Sequence, residues 1–281
     1  MASILPLRPQ AMRDRVSPDE WDLRVNLAAC YRLVAHYGMT DLVYNHITAR
    51  VPGPEHHILI NAYGMLYQEI TASSLIKVDL AGNVLAKPDG LDYSVNAAGY
   101  VIHSAVHEAR QDVECVIHTH TRAGIAVSVM EEGLLPLSQT AMRFHGQLAY
   151  HDYEGPAFNR GEKERLVAHL GKSNAMILRN HGLLVCGPSI PQAFNLIHWL
   201  ENACRIQVDV LASNRPLHHP PEAVIESTAE ALSGAEITLA NEDQTNPHLK
   251  RDAQKSGSGY GMLEWPALLR MLDRADPTYR D

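Results

Sequence analysis

A chain of 281 residues, 46% hydrophobic and 20% charged, has ordinary globular composition, which excludes whole-chain disorder and leaves room for one large domain or two small ones. Its 24 Lys+Arg against 32 Asp+Glu give a formal charge of −8, and without a basic block this argues against nucleic acid or an anionic membrane as main partner. No apolar run reaches about 18 residues, so no segment is expected to span a membrane.

The predicted elements begin with a helix over 18–37. Ser17-Pro18-Asp19-Glu20 supplies a capping serine, proline at the first helical position and a glutamate two residues on. Val25, Ala28, Ala29, Leu33 and Val34 form its apolar stripe, and Gly38 suits the residue after its end. Short β-like segments follow at 43–51, 57–61 and 75–80, with Gly64 in the second gap and an Ala81-Gly82-Asn83 turn after the third. Residues 97–110 read as a helix and 114–120 as a buried strand. A strand over 175–179 breaks at Asn180-His181-Gly182 and resumes over 183–186. A long helix then starts at Ser189-Ile190-Pro191 and runs to about residue 212, with Ala193, Ile197, Leu200, Cys204 and Val208 on one side.

Beyond Pro216 the composition changes. Leu217-His218-His219-Pro220-Pro221 reads as a linker, and 239–261 is polar and Gly/Ser-rich. Glu264-Trp265-Pro266 opens a short terminal helix whose Leu268, Leu269 and Leu272 need cover from the domain or a neighbouring subunit. The chain thus divides into an extension (1–16), a main domain (17–215) and a linker with helical tail (216–281). Alternating helices and strands put the core in the α/β class. Cys30, Cys115, Cys186 and Cys204 are scattered without a C-x-x-C pair, as expected of reduced thiols in a cytoplasmic protein.

The 16 histidines carry the chemistry. In Val116-Ile117-His118-Thr119-His120, residues two apart in a strand share a face, so His118 and His120 present their imidazoles together. Neutral imidazole suits zinc and other divalent first-row metals. Two donors are half a site, and His181, beside Gly182 at the strand break, is the candidate third. Three protein ligands with open positions characterise a catalytic metal. A rival pair, His103 and His107 at helical i, i+4 spacing, lacks the glutamate of the H-E-x-x-H motif because Ser104 follows His103.

Ile102-His103-Ser104-Ala105, Val116-Ile117-His118-Thr119-His120-Thr121 and Ile177-Leu178-Arg179-Asn180-His181-Gly182 together resemble the class II aldolase/adducin family. Gly133-Leu134-Leu135-Pro136 and Ala149-Tyr150-His151-Asp152-Tyr153-Glu154-Gly155 are similar to its adducin-like branch. The resemblance spans roughly residues 20–212. It implies a three-layer α/β/α fold with a central, mainly antiparallel sheet, usually in a homotetramer with active sites between subunits. It also implies a divalent ion held by three histidines that map onto His118, His120 and His181, with zinc foremost and manganese, cobalt or ferrous iron as alternatives.

The departures shape the expected chemistry. Sugar-phosphate aldolases of the family carry a Ser-Ser-Glu run, two phosphate-binding serines and a proton-transfer glutamate. That run falls on Ala97-Ala98-Gly99 here. A phosphate-contacting Gly-Asn-x-Ser segment corresponds to Tyr44-Asn45-His46-Ile47-Thr48, which keeps the asparagine and a hydroxyl, and the family's tyrosine acid falls on Thr140. A divalent ion with open positions stabilises the enolate left when a C–C bond breaks, in retro-aldol cleavage and decarboxylation alike. Retro-aldol cleavage needs a base for the hydroxyl proton, whereas decarboxylation needs only an acid for the product carbanion. Losing the glutamate therefore points to a lyase, of decarboxylating or other type, on a non-phosphorylated keto, hydroxy or aromatic acid. Tyr93, His103 and Tyr153 are the candidate proton-transfer groups. Asn45, Arg122 and Arg143 are the candidate substrate contacts, the arginines through a two-pronged grip on a carboxylate. Two other readings compete: a non-catalytic interaction module like the adducin head, and a ferrous oxygenase on the same histidines, although three imidazoles without a carboxylate depart from the usual 2-His-1-carboxylate pattern.

Overall fold

The computed structural model describes residues 12–155, 160–233 and 260–281. Most of the predicted N-terminal extension and of the Gly/Ser-rich stretch therefore lies outside the described residues. Helix α1 (Pro18–His36) starts as its sequence dictates, with the Glu20 amide donating to Ser17 Oγ at 3.2 Å. Eight strands form one sheet: β1 (His46–Arg50), β2 (Ile58–Ile60), β3 (Ile76–Val78), β4 (Val84–Ala86), β5 (Cys115–Thr119), β6 (Leu148–His151), β7 (Ala175–Leu178) and β8 (Gly182–Gly187). Their order is β4-β3-β2-β1-β5-β8-β7-β6. Every neighbouring pair is antiparallel except β6 with β7, in line with the mainly antiparallel sheet expected from the resemblance.

Strand alternation splits the core into two layers. Ile47, Ala49, Cys115, Ile117, Leu183 and Val185 join a large apolar cluster with residues of α1 and of α6 (Ile190–Ala212). Val116, Leu184, Cys186, Met176 and Leu178 face the other way, against Ile102 and Val106 of α2 (Ala97–Ala109) and Leu166 and Leu170 of α5 (Arg160–Leu170). The result is helix, sheet, helix. All four cysteines are free and buried. Tyr31 of α1 pins the central strands, its hydroxyl accepting the Ile47 and Asn61 amides at 3.1 and 3.0 Å.

Short helices α3 (Arg122–Val129) and α4 (Gln139–Met142) connect β5 to β6, and α7 (Glu222–Ser233) follows the linker. Terminal helix α8 (Trp265–Ala275) packs on α1 of its own chain: Trp265 Nε1 donates to Asn26 Oδ1 at 2.7 Å, and Arg32 pairs with Asp276 at 3.0 Å. Among the described residues, no helix is long and apolar enough to cross a membrane.

Candidate metal centre

β5 is central, and His118 sits on the face that α2 covers. Beyond its end, His120 leads into Thr121, which caps α3 by accepting the Gly124 amide at 3.1 Å and donates its hydroxyl to Glu201 of α6. Glu201, 2% exposed and also bound by Arg205 at 2.6 Å, thereby fixes the chain where His120 leaves the strand. His181 arrives on the three-residue turn from β7 to β8, with Asn180 at φ +56° and the His181 amide donating to the Leu178 carbonyl at 3.1 Å. Gly182 permits the approach, since a Cβ there would run into the Thr119 carbonyl.

The three imidazoles converge. His118 Nε2 lies 2.7 Å from His120 Nε2, which lies 3.0 Å from His181 Nε2. His118 Nδ1 is 2.8 Å from the Leu183 carbonyl, and His120 Nδ1 is 3.2 Å from Asp41 Oδ2. Carbonyls and carboxylates only accept, so both Nδ1 atoms carry the proton and both Nε2 atoms present lone pairs to the shared centre. Burial, then the neighbouring imidazoles, hold His118 well below the ordinary histidine range, and burial with His120 brings His181 down to about 4. Lone pairs this close, without protons between them, repel. A divalent cation relieves that, and the Asp41 carboxylate behind His120 is the arrangement that orients a metal-binding imidazole. The residues fit the ion that the resemblance implies.

The other candidates have distinct placements. Asn45 is buried, and its Oδ1 accepts the Asp41 amide at 2.6 Å, so it shapes the loop behind His120. Tyr153, 54% exposed, lies with its ring 6.1 Å from that of His181, beside a small cleft lined by Asp152, Arg179 and His181. Arg122 is exposed on the first turn of α3, two residues past His120. Tyr93 packs over Gly64, where a Cβ would strike its ring. His103 is fully buried, and Thr48 Oγ1 bridges its Nδ1 and His107 Nε2 at 2.8 Å each. Arg143 stacks between Trp199 and Tyr260 (4.8 and 4.4 Å to the ring centroids) and donates to Asn195 at 2.8 Å. Its guanidinium is taken up by α6 and Tyr260, because two aromatic faces and an amide oxygen outcompete solvent exposure for a planar cation. A cavity of about 410 Å³ lies beside it, lined by Lys172, Gln192 and Tyr260 among others, and includes none of the three histidines.

Sequence reasoning missed Asp41 and His46. His46 is the Cα partner of His118 across the β1–β5 pairing, so both side chains emerge on one face. Its ring is 4% exposed, and neither nitrogen meets a hydrogen-bond partner among the described residues. The readable signal is His46 and Thr48, two apart on a strand, opposite Gly99, His103 and His107, four apart on a helix.

Residues 25–208 match the family model described as Class II Aldolase and Adducin N-terminal domain. The chain is similar to the crystal structure of an aldolase II superfamily protein from Pseudomonas syringae, at 48% identity and TM-score 0.83, covering 96% of this chain and all of that one. An L-fuculose 1-phosphate aldolase from Glaciozyma antarctica is 26% identical with TM-score 0.74, covering 94% of this chain and 93% of that one. Rat alpha-adducin is 41% identical over 97% of this chain, which spans 36% of the adducin's length. On these grounds the chain belongs to the class II aldolase and adducin family.

Proposed function

We propose that this protein is a metal-dependent lyase that cleaves a C–C bond in a non-phosphorylated keto, hydroxy or aromatic acid. The observation that carries this reading is the convergence of three Nε2 atoms from His118, His120 and His181, with the first two rings locked by Leu183 and Asp41. When bound there, a divalent cation supplies the positive charge that offsets the anion left at carbon as the bond breaks. Asp41 and the Leu183 carbonyl keep two imidazoles in the donor tautomer. Tyr153, at the opening beside His181, is placed to hand a phenolic proton to the product carbon, and Arg122 to meet a carboxylate. His103, enclosed against Thr48, acts as a positioning group. Ala97, Ala98 and Gly99 offer neither the hydroxyls nor the carboxylate of a sugar-phosphate site, which supports a substrate without phosphate. On this reading the resident ion is zinc and the working form is a cytoplasmic homotetramer.

A second reading, a non-catalytic assembly module, draws on the 41% identity to alpha-adducin. Chelator-stripped and zinc-restored protein, incubated with 2-keto, 2-hydroxy and aromatic acids and followed by mass spectrometry, separates the two. The lyase reading expects turnover that disappears with the metal and returns with it. Stoichiometric metal without turnover of any of these acids favours the module, and oxygen consumption that needs ferrous iron selects the oxygenase.

A further inference from the structure

The volume around Gly99 is filled by His46. A Cβ at Gly99 would collide with Nδ1, Cε1 and Nε2 of that ring, so the helix backbone lies flat against the imidazole. A side chain at position 99 and the present pose of His46 exclude one another. The family resemblance implies a proton-transfer glutamate at this position, and on that correspondence glycine here both removes a carboxylate and admits an imidazole.

The ring is placed by several contacts. β1 sets it opposite His118 in the sheet. His103, held by Thr48, stands edge-on with ring centroids 5.8 Å apart. A neutral imidazole offers one N–H donor and one acceptor. Both are buried without a protein partner among the described residues, whereas buried polar side chains ordinarily find one. A polar group in that condition beside a cation-binding triad is fitted to meet what the cation holds.

Charge then decides which molecules that can be. A carboxylate at position 99 repels a second carboxylate brought to the same ion, while an imidazole in either protonation state does not, and its N–H donates to one. Resting on the metal-dependent reading above, we propose that His46, its ring seated in the volume that Gly99 leaves, is a substrate-contacting residue that selects chelating molecules bearing a carboxylate.

The test uses zinc-loaded protein and oxalate, a small chelating dicarboxylate, with binding followed by calorimetry and zinc content measured separately. His46→Leu, of similar bulk, is expected to keep one zinc per chain and to bind oxalate about tenfold or more weakly, the scale for losing a hydrogen bond to a charged group. His46→Gln, which restores an N–H donor, recovers part of that loss. Gly99→Ala, which leaves the imidazole intact but displaces it, weakens oxalate as His46→Leu does. In the wild type, oxalate moves the imidazole ¹⁵N resonances that are missing from the His46→Leu spectrum. Wild-type oxalate affinity in His46→Leu at full zinc content, or wild-type resonances that ignore oxalate, overturns the proposal. So does loss of zinc from His46→Leu and His46→Gln alike, which makes His46 a support of the triad. A wild type that takes up no zinc overturns the metal reading beneath it, and zinc content tells the two failures apart.

Discussion

Asp41 reaches the metal centre only through His120, and its effect there is measurable. Its carboxylate accepts the Nδ1 proton and so aims Nε2 inward. Removing such an outer partner costs about 10–100-fold in metal affinity in comparable sites. Asp41→Ala is therefore expected to weaken zinc by that factor in a chelator competition, with the helical circular dichroism unchanged, and unchanged zinc affinity would show that the 3.2 Å contact orients nothing. Gly182 acts through space rather than charge. Because a Cβ there meets backbone oxygen of β5 rather than a flexible side chain, Gly182→Ala is expected to lower unfolding stability in urea by about 1–3 kcal/mol. His118, His120 and His181 were legible because two lay at strand spacing and the third in a matching motif. Asp41 and His46 were not, since a loop aspartate and a single strand histidine carry no pattern of their own until the fold sets them beside their partners.

At the level of elements, the capped helices and the buried strands were readable because their local signals agree. Ser17 and Ser189 cap α1 and α6 by side-chain acceptance, and Pro18 and Pro191 stand in the first turns. The elements that escaped notice have weak periodicity for identifiable reasons. β4 is a three-residue edge strand with Val84 and Leu85 nearly half exposed. Among the described residues β6 pairs only with β7, and it is mostly half-buried. α5 buries Glu162, Leu166 and Leu170 at four-residue spacing, so a glutamate stands where the stripe calls for an apolar residue.

The packing of α2 on β1 also carries a pH signature. Burial first, and then neighbouring charges, hold His46 at about 4, His107 at about 3 and His103 well below its ordinary value. An unfolded chain protonates the same groups near pH 6.5. Below that value the unfolded state binds protons that the folded state refuses, so stability falls as pH drops from about 6.5 toward 4. For metal-free protein, in which His118 and His181 are held low as well, the urea midpoint is expected to decline steadily over this window, with a slope of up to about five protons. A midpoint that holds constant from pH 6.5 to 4.5 would mean that these imidazoles are hydrated and free to charge in the native state.

For the molecule as a whole, the sheet separates a large apolar layer under α1 and α6 from a thinner one under α2 and α5, and the histidines gather where the thinner layer meets the ends of β5 and β8. The terminal helix closes the outer side of the larger layer. Trp265, 6% exposed and bonded to Asn26, anchors it, and Trp265→Ala is expected to cost about 3–5 kcal/mol of unfolding stability while zinc binding persists. If that substitution left stability unchanged, the tail would be an appendage rather than part of the fold. Family membership fixes this architecture but leaves the reaction open, because relatives named as aldolases and as adducins share it. What distinguishes the readings is whether the histidine cluster holds an ion. Inductively coupled plasma mass spectrometry of the purified chain, beside His118→Ala, His120→Ala and His181→Ala, measures this directly. The account predicts one divalent ion per chain in the wild type and its loss from each variant, with folding retained, whereas a metal-free wild type, or variants that keep the ion, would contradict it.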